Sequence, residues 1–264
     1  IKISEDDWDM HEYSWNFKRN PLIIQKPDYV KSFEEALDEY RQIWTKNFYH
    51  IHKNEEDINQ ILIDIYELKG DLIPNVSFND IKILQEELEY KKLSIENKRI
   101  RRHPDTYKVI NYDEINLPFK VHEIISQFIS YSVGSIFGRY SLDKEGVILA
   151  NQNESIRDYY NKVSKSENEC SFLPDSDNII PVLDDEWFED DIVGRFNKFL
   201  KVTFGERNFN KNLAFIEEQI GKDIRKYFIK DFYPDHIKRY KKRPIYWMFS
   251  SPKEIGRASC RERV

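Results

Sequence analysis

Two stretches near the start of the chain carry apolar residues at helical spacing. The first follows Ser32 and Glu35, whose side chains can form a capping box with the backbone amides of a helix start. The second follows Asn54 and ends at Gly70 and Pro74. The apolar residues are Phe33, Leu37, Tyr40, Trp44 and Ile51 in the first stretch and Ile58, Ile61, Leu62, Ile65 and Leu68 in the second. This pattern predicts two helices joined as an antiparallel hairpin.

The later pattern predicts further helices and a few strands. A short charged helix is expected between residues 80 and 102, and an apolar helix over residues 121–137. Within the latter, Gly134 and Gly138 indicate the close approach of another backbone. Another helix is predicted to open within the acidic run at 184–191 and to carry Trp187, and one more follows Asn208. Residues 179–183 and 245–249 are expected to be extended. The sequence therefore predicts a predominantly helical α+β fold, with a helical-hairpin spacer followed by a mixed helix and strand region.

Composition divides the chain into five regions. Residues 1–30 are aromatic and irregular and are expected to form an extended opening segment with a short strand. Residues 31–150 form the helical spacer. Residues 151–177 are rich in Asn, Ser, Glu and Lys, which indicates an exposed insert or linker and the domain boundary. Residues 178–254 form the mixed region, and residues 255–264 show neither an apolar period nor turn residues.

The two ends of the chain carry signs of an artificial origin. Residue 1 is Ile rather than Met, and the last ten residues resemble the translation of a common DNA-sequencing adapter. The sequence therefore predicts an internal fragment of a larger protein with a non-native tail at 255–264. That tail is excluded from the prediction of the fold.

The overall composition is typical of a globular cytoplasmic protein. The chain is 40% hydrophobic and 33% charged, and its 14% aromatic content predicts a core built largely from rings. No window approaches 18 apolar residues and no signal peptide is present, so neither a membrane span nor export is expected. The two cysteines, Cys170 and Cys260, provide neither a disulfide framework nor a Cys-based zinc site.

The acidic run from Asp184 to Asp191 is the obvious candidate for a metal site. Its carboxylates suit Mg²⁺ or Ca²⁺. Acids in the first turn of a helix also cap that helix without any metal, and the spacing favours this second interpretation. His50 and His52 are two residues apart, which is the wrong spacing for one helical face. With no phosphate-binding glycine loop present, the residues predict a non-catalytic chain with no metal or cofactor site of its own.

A basic strip near the end of the chain is its most informative stretch. Five of the seven residues at 237–243 are basic, namely Lys238, Arg239, Lys241, Lys242 and Arg243, in a protein of net charge −6. Pro244-Ile245-Tyr246-Trp247 follows at once, and basic side chains beside exposed aromatics suit a phosphate backbone. The alternative is a solvated helix end whose cations face the negative pole of the helix dipole. A second basic cluster at residues 91–102 favours a solvated helix face.

Five groups of residues form recognisable phrases, at 13–17 with 21–22, 58–68 with 71–74, 129–143, 177–182 with 184–188, and 236–247. Together these phrases resemble PglX-type adenine-specific DNA methyltransferases of the BREX phage-defence system. They occur in the family's order and span nearly the whole chain. Departures include Glu67, which stands where a Gly is usual, and the stretches at 77–102 and 151–170.

The resemblance implies a role in a larger enzyme. The family transfers a methyl group from S-adenosyl-L-methionine to the N6 of a flipped-out adenine. Its Asn-Pro-Pro-Tyr loop and glycine-rich cofactor pocket do not occur here, since Asn20-Pro21 lacks the second Pro and the aromatic. The cofactor is therefore expected to bind outside this chain. Residues 1–30 would follow the catalytic domain, and residues 178–254 would begin the target-recognition region.

The resemblance makes double-stranded DNA the expected partner. Lys238, Arg239, Lys241, Lys242 and Arg243 are the candidate phosphate contacts, with Arg139 as a further candidate. Other phage-defence components are possible partners, and no membrane is expected. Two alternatives stay open: the same region of a fused restriction-modification polypeptide, and a protein-interaction scaffold whose basic strip meets an acidic partner.

Overall fold

The computed structural model describes residues 1–23, 30–151, 153–188, 190–250 and 257–260, with the backbone alone at 249–250 and 257–260. These residues form the helices α1 (Lys2–Asp9), α2 (Phe33–Ile65), α3 (Tyr90–Asn97), α4 (Val121–Ile136), α5 (Ile156–Val163), α6 (Ile192–Phe204), α7 (Phe209–Ile220), α8 (Ile224–Lys230) and α9 (Phe232–Arg239). The strands are β1 (Ile179–Val182), β2 (Trp247–Ser250) and β3 (Arg257–Cys260). The predicted class, predominantly helical α+β, is confirmed.

The three strands form one small antiparallel sheet in the order β1–β3–β2. β1 lies where the sequence predicts extended chain, and β2 begins two residues after the start of its predicted strand. The central strand β3 falls within residues 255–264, for which the sequence predicts no element. The artificial origin of that segment stays a prediction.

The chain divides into two compact units. The first comprises Ile1–Asp7 and Asp38–Glu123, and the second comprises Trp8–Leu37 and Ile124–Val264. Residues 151–177 lie inside the second unit rather than at a division between units. There α5 contributes Tyr159 and Val163 to a buried cluster with Ile148 and Leu149.

The predicted hairpin at the start of the chain is wrong, because α2 runs as one helix from Phe33 to Ile65. Its start is as predicted: Glu35 accepts the Ser32 amide at 2.7 Å, and the Ser32 hydroxyl accepts the Glu35 amide at 3.3 Å. No Gly or Pro interrupts the stretch between the two stripes. Asn54 costs only a fraction of a kcal/mol inside a helix, roughly 0.7 at most, so the favourable neighbours carry the helix through it.

The first unit is packed around the middle of α2. Phe48 packs edge-on against Phe78 with ring centroids 5.4 Å apart, and the Tyr49 hydroxyl donates to the Ile115 carbonyl at 2.7 Å. Nearby, Arg102 donates to both carboxylate oxygens of Glu56, at 2.6 and 2.9 Å. These contacts tie the irregular chain on both sides of α3 to the long helix.

The second unit has an aromatic core, as the composition predicts. Phe128 on α4 packs against Phe33, Phe196, Phe199 and Phe204, with ring centroids 5.0 to 6.3 Å apart. All five rings are buried. Edge-on and tilted pairs of this kind add about 0.5–1.5 kcal/mol each beyond the area that they bury. α4 is the central helix of this unit, and 13 of its 16 residues are buried.

Gly134 on α4 admits an aromatic ring rather than the neighbouring backbone that the sequence predicts. A Cβ at this position would lie 2.5 Å from the Tyr140 ring, which is closer than two carbon atoms can approach. Gly138 ends the helix with a φ of +70°, a conformation that favours glycine. The two glycines therefore fold the chain back so that Tyr140 covers the helix end.

Several other expectations differ from the structure. The opening segment contains the helix α1, and its predicted strand falls partly on residues 24–29, outside the described residues. α3 is shorter than predicted and ends at Asn97. α6 begins at Ile192, so Trp187 precedes it and is exposed. Among the described residues, no helix is long and apolar enough to cross a membrane.

Asp191 caps a helix, which is the interpretation that the sequence favours over metal binding. It is completely buried, and its Oδ1 accepts the Val193 amide at 2.9 Å at the start of α6. Both carboxylate oxygens also accept from the Arg225 guanidinium, at 2.9 and 3.0 Å. The Asp191 carboxylate therefore links α8 to the start of α6.

Replacing Asp191 is expected to destabilise the second unit. Asp191→Ala leaves Arg225 half-buried without its anion and removes the helix cap, so the free energy of unfolding should fall by about 3–5 kcal/mol. Urea denaturation followed by tryptophan fluorescence measures the change. Asp185→Ala, at an exposed acid of the same run, is the control and should stay within about 0.5 kcal/mol of the unsubstituted chain. Equal effects of the two substitutions would contradict the assigned role.

Candidate nucleic-acid interface

The basic strip occupies the end of α9 and the turn that follows. Lys238, Lys241, Lys242 and Arg243 are exposed, whereas Arg239 is half-buried. Because the carbonyl end of a helix is electronegative, cations here are stabilised by the helix dipole as well as by solvent. The four exposed cations, referred to below as the basic turn, lie within six consecutive residues and present a concentrated positive charge.

The backbone of the basic turn is tightly folded. The Lys242 amide donates to the Ile237 carbonyl at 2.8 Å, and the Lys241 amide donates to the Lys238 carbonyl at 3.1 Å. Lys241 and Lys242 both adopt the left-handed conformation, with φ of 51° and 65°. A non-glycine residue in this region costs on the order of 1 kcal/mol or more, and such strain is concentrated at functional sites. The turn therefore carries two long cationic side chains where glycine would fit with less strain.

A buried histidine fixes the chain on the far side of the basic turn. The His236 Nε2 accepts the backbone amides of Ile245 and Tyr246, at 3.0 and 3.3 Å. The imidazole packs between the Tyr240 and Tyr246 rings, each with its centroid 4.8 Å away. Since Nε2 accepts, the ring is neutral with its proton on Nδ1. Burial, with smaller contributions from Arg239 and Arg139, lowers the pKa of His236 to about 3.

Glu12 anchors the near side of the same turn. Its Oε2 accepts from the Tyr240 hydroxyl at 2.9 Å and from the Ser130 hydroxyl at 2.8 Å, while its Oε1 is covered and has no hydrogen-bond partner among the described residues. Burial raises the pKa of Glu12, although the positive charge of Arg239 acts in the opposite direction. A carboxylate that is shielded from solvent favours a nearby cation. The Glu12 carboxylate therefore stabilises the inward position of the Arg239 guanidinium.

Two of the six predicted phosphate contacts are engaged inside the protein. The Arg239 Nη2 donates to the Ser126 hydroxyl at 3.0 Å. The Arg139 Nε donates to the Tyr140 hydroxyl at 3.2 Å, and its guanidinium lies 5.6 Å from the centroid of that ring. Both side chains are half-buried. The geometry therefore favours the four residues of the basic turn over these two arginines as contacts for an external anion.

Aromatic residues from the opening segment lie beside the basic turn. The Lys241 Nζ sits 5.5 Å from the centroid of the Tyr13 ring, within the range of a cation–π contact. Trp8 packs edge-on against Tyr13 with centroids 5.3 Å apart, and more than half of the Trp8 surface is exposed. The surface thus combines cations with accessible rings, the two side-chain types that suit contact with nucleic acid.

Most cations of the second basic cluster are paired with neighbouring acids. Four of its cations form ion pairs, Lys92 with Glu89, Arg99 with Glu96, Arg101 with Glu114 and Arg102 with Glu56. A cation already paired with a carboxylate attracts phosphate weakly. This cluster therefore fits the structural interpretation that the sequence favours.

Sequence reasoning did not identify the residues that hold the basic turn in place. A weak signal was present for His236, since Phe232, His236 and Tyr240 are four residues apart and share one helical face. Glu12 gave no such signal, because 228 residues separate it from Tyr240 in the chain.

The depressed pKa of His236 predicts a specific pH dependence of stability. Below its usual pKa of 6.5 the imidazole takes a proton in the unfolded chain but not in the folded one. The folded state should therefore lose up to about 1.4 kcal/mol per pH unit as the pH falls from 6.5 toward 3. Glu12 acts with the opposite sign, so the informative quantity is the difference between the unsubstituted chain and His236→Gln, measured by urea denaturation across this range. A constant difference would contradict a neutral buried imidazole.

Two curated proteins are similar to the chain over nearly its whole length, while no protein-family model matches it. The chain is 33% identical over 270 residues to the adenine-specific methyltransferase BrxX of Escherichia coli O9:H4 (strain HS), an alignment that covers 96% of this chain and 20% of that protein. It is 32% identical over 268 residues to the adenine-specific methyltransferase PglX of Lacticaseibacillus casei (strain Zhang), with 97% of this chain and 19% of that protein covered.

These similarities confirm the resemblance inferred from the sequence phrases. The chain spans about a fifth of the length of the curated relatives that it matches. Almost every residue of the chain is included in the alignments. The chain is therefore similar to one segment, about a fifth of the length, of these longer adenine-specific methyltransferases.

Proposed function

We propose that this chain is the non-catalytic spacer and DNA-recognition part of a site-specific adenine-N6 DNA methyltransferase that acts in phage defence. The observation that carries the proposal is the basic turn, four exposed cations on a backbone fixed from both sides by buried residues. Phosphate contacts of this kind orient a protein on the duplex and do not read sequence. The turn would hold double-stranded DNA while another part of the enzyme flips the target adenine.

The catalytic chemistry is proposed to reside outside this chain. The resemblance implies S-adenosyl-L-methionine as the methyl donor, and its family uses an Asn-Pro-Pro-Tyr loop at the reacting amine. The Asn20 side chain does not fit that role, because it is buried and its Oδ1 accepts the Leu22 amide at 3.0 Å. No catalytic step is therefore assigned to these residues.

A protein-interaction scaffold is the second candidate function. The same exposed cations would suit an acidic protein surface as well as a phosphate backbone. Pull-down experiments without DNA, using other phage-defence components, compared with direct DNA binding, separate the two candidates. The exposed Trp8 beside Tyr13 and Lys241 favours nucleic acid where a base has left the duplex stack, since rings can stack on unpaired bases.

Removing the basic turn should reduce the salt dependence of DNA binding by the full-length enzyme. Each of Lys238→Ala, Lys241→Ala, Lys242→Ala and Arg243→Ala takes away one cation that neutralises a phosphate. The slope of log K against log salt should therefore become shallower by about 0.9 for each phosphate that is no longer neutralised. Fluorescence anisotropy with a duplex at several salt concentrations measures the slope. Lys198→Ala, at an exposed lysine on α6, is the matched control. An unchanged slope in the combined variant would exclude the turn as a phosphate-binding element.

Lys242→Gly should separate stability from binding. Glycine adopts a φ of 65° without strain, so the free energy of unfolding should stay the same or rise by up to about 1 kcal/mol, while DNA affinity falls as it does for Lys242→Ala. Thermal denaturation and the same anisotropy assay provide the two measurements. A variant that loses stability together with affinity would show that Lys242 serves the fold instead.

A further inference from the structure

The end of α2 exposes a continuous apolar face. The sequence predicts that Ile58, Ile61, Leu62 and Ile65 belong to the apolar stripe of the second helix of a hairpin. The structure has one helix instead, and the described residues of the first unit leave this side of it largely uncovered. Ile58, Ile61, Leu62, Ile65 and Tyr66 follow helical spacing and are 46 to 69% exposed, and Leu72 and Ile73 are 55 and 60% exposed. On the opposite side of the helix Ile63 is buried.

The chain after α2 returns along the other side of the helix. The Asn59 side chain donates to the Pro74 carbonyl at 3.2 Å, and the Val76 amide donates to Glu56 at 3.0 Å. Glu56 and Asn59 lie toward the Ile63 side of the helix, so these bonds hold residues 74–76 there and leave the apolar face uncovered. Its five side chains, Ile58, Ile61, Leu62, Ile65 and Tyr66, at roughly 100 Å² each, offer on the order of 500 Å² of apolar surface.

A surface of this size lies in the upper part of the range for the largest apolar patch on a typical monomer, about 300–600 Å², and such patches are often functional. One partner in a standard protein–protein interface contributes about 800 Å² of apolar and polar surface together. The exposed apolar face can therefore form the apolar centre of one side of a stable interface.

The charges around the face indicate what can cover it. Residues 54–73 contain six acids and one base, Lys69. Lys69 pairs with Asp64 at 3.1 Å, so Glu67 and Asp71 leave the rim with a net negative charge. Phosphate backbones and anionic lipid surfaces are repelled by such a rim. A twofold contact with a second copy would bring the same acidic rim against itself.

We infer that this face docks onto another segment of the same, longer polypeptide, one that presents apolar side chains with a basic rim. The inference rests on the proposed function, in which the chain is one part of a larger enzyme. The chain spans about a fifth of the length of its relatives, and a tethered segment meets the face at a high effective concentration. The docked face would fix the long helix α2 to the body of the enzyme.

Photocrosslinking of the full-length protein tests the inference. The variants are Ile61→p-benzoylphenylalanine and Tyr66→p-benzoylphenylalanine, with Gln42→p-benzoylphenylalanine, at an exposed polar position near the start of the same helix, as the control. Purified protein is irradiated without DNA, and the products are analysed by mass and by peptide sequencing. Both test positions should give crosslinks within one polypeptide to a peptide outside residues 1–264, at least ten times more abundant than those from the control.

Other outcomes overturn the inference in distinguishable ways. Products at twice the monomer mass would assign the face to a second copy of the chain. Yields no higher than the control's would show that the face stays open in the purified protein. If irradiation of cells that express the same variants then gave crosslinks only to another protein, the face would belong to a separate partner. Because the assay contains no DNA, it can fail while the salt dependence assigned to the basic turn is observed, and the reverse also holds.

Discussion

The requirement that the His236 imidazole remain neutral governs the candidate interface. Its Nε2 can accept the Ile245 and Tyr246 amides only without a proton, and these two bonds determine where the chain goes after α9. The surrounding rings exclude water, which keeps the charged form of the imidazole unfavourable. The position of the exposed cations between α9 and β2 thus depends on a buried group that carries no charge.

The cations of this region have different surroundings. Glu12 is held under Tyr240 and Ser130, and its covered carboxylate makes an inward position favourable for Arg239. Lys238, Lys241, Lys242 and Arg243 are exposed and extend into solvent. The buried Glu12 carboxylate therefore separates Arg239, which has a structural role, from the exposed residues of the basic turn. The basic turn, rather than Arg239, is then available to an external anion.

The middle and the end of α2 have different surroundings. Its middle part packs within the first unit through Phe48 and Tyr49, whereas its last turns expose Ile61, Ile65 and Tyr66. A helix without breakers transmits orientation over its full length, about 50 Å at 1.5 Å per residue. Docking of its far end would therefore set the orientation of the residues packed around its middle.

Sequence alone determined the helical class, the capping box at Ser32, the apolar helix α4, the acidic start of α6 and the resemblance to PglX-type methyltransferases, because each depends on local spacing or on a run of consecutive residues. It misjudged the joint at Asn54 because a capping residue is only a weak signal without a Gly or Pro beside it. It identified the basic strip but not its anchors, since Glu12 and Tyr240 lie 228 residues apart. Only the tertiary structure decided which cations are exposed and which apolar face stays open, because burial depends on contacts between residues that are distant in the chain.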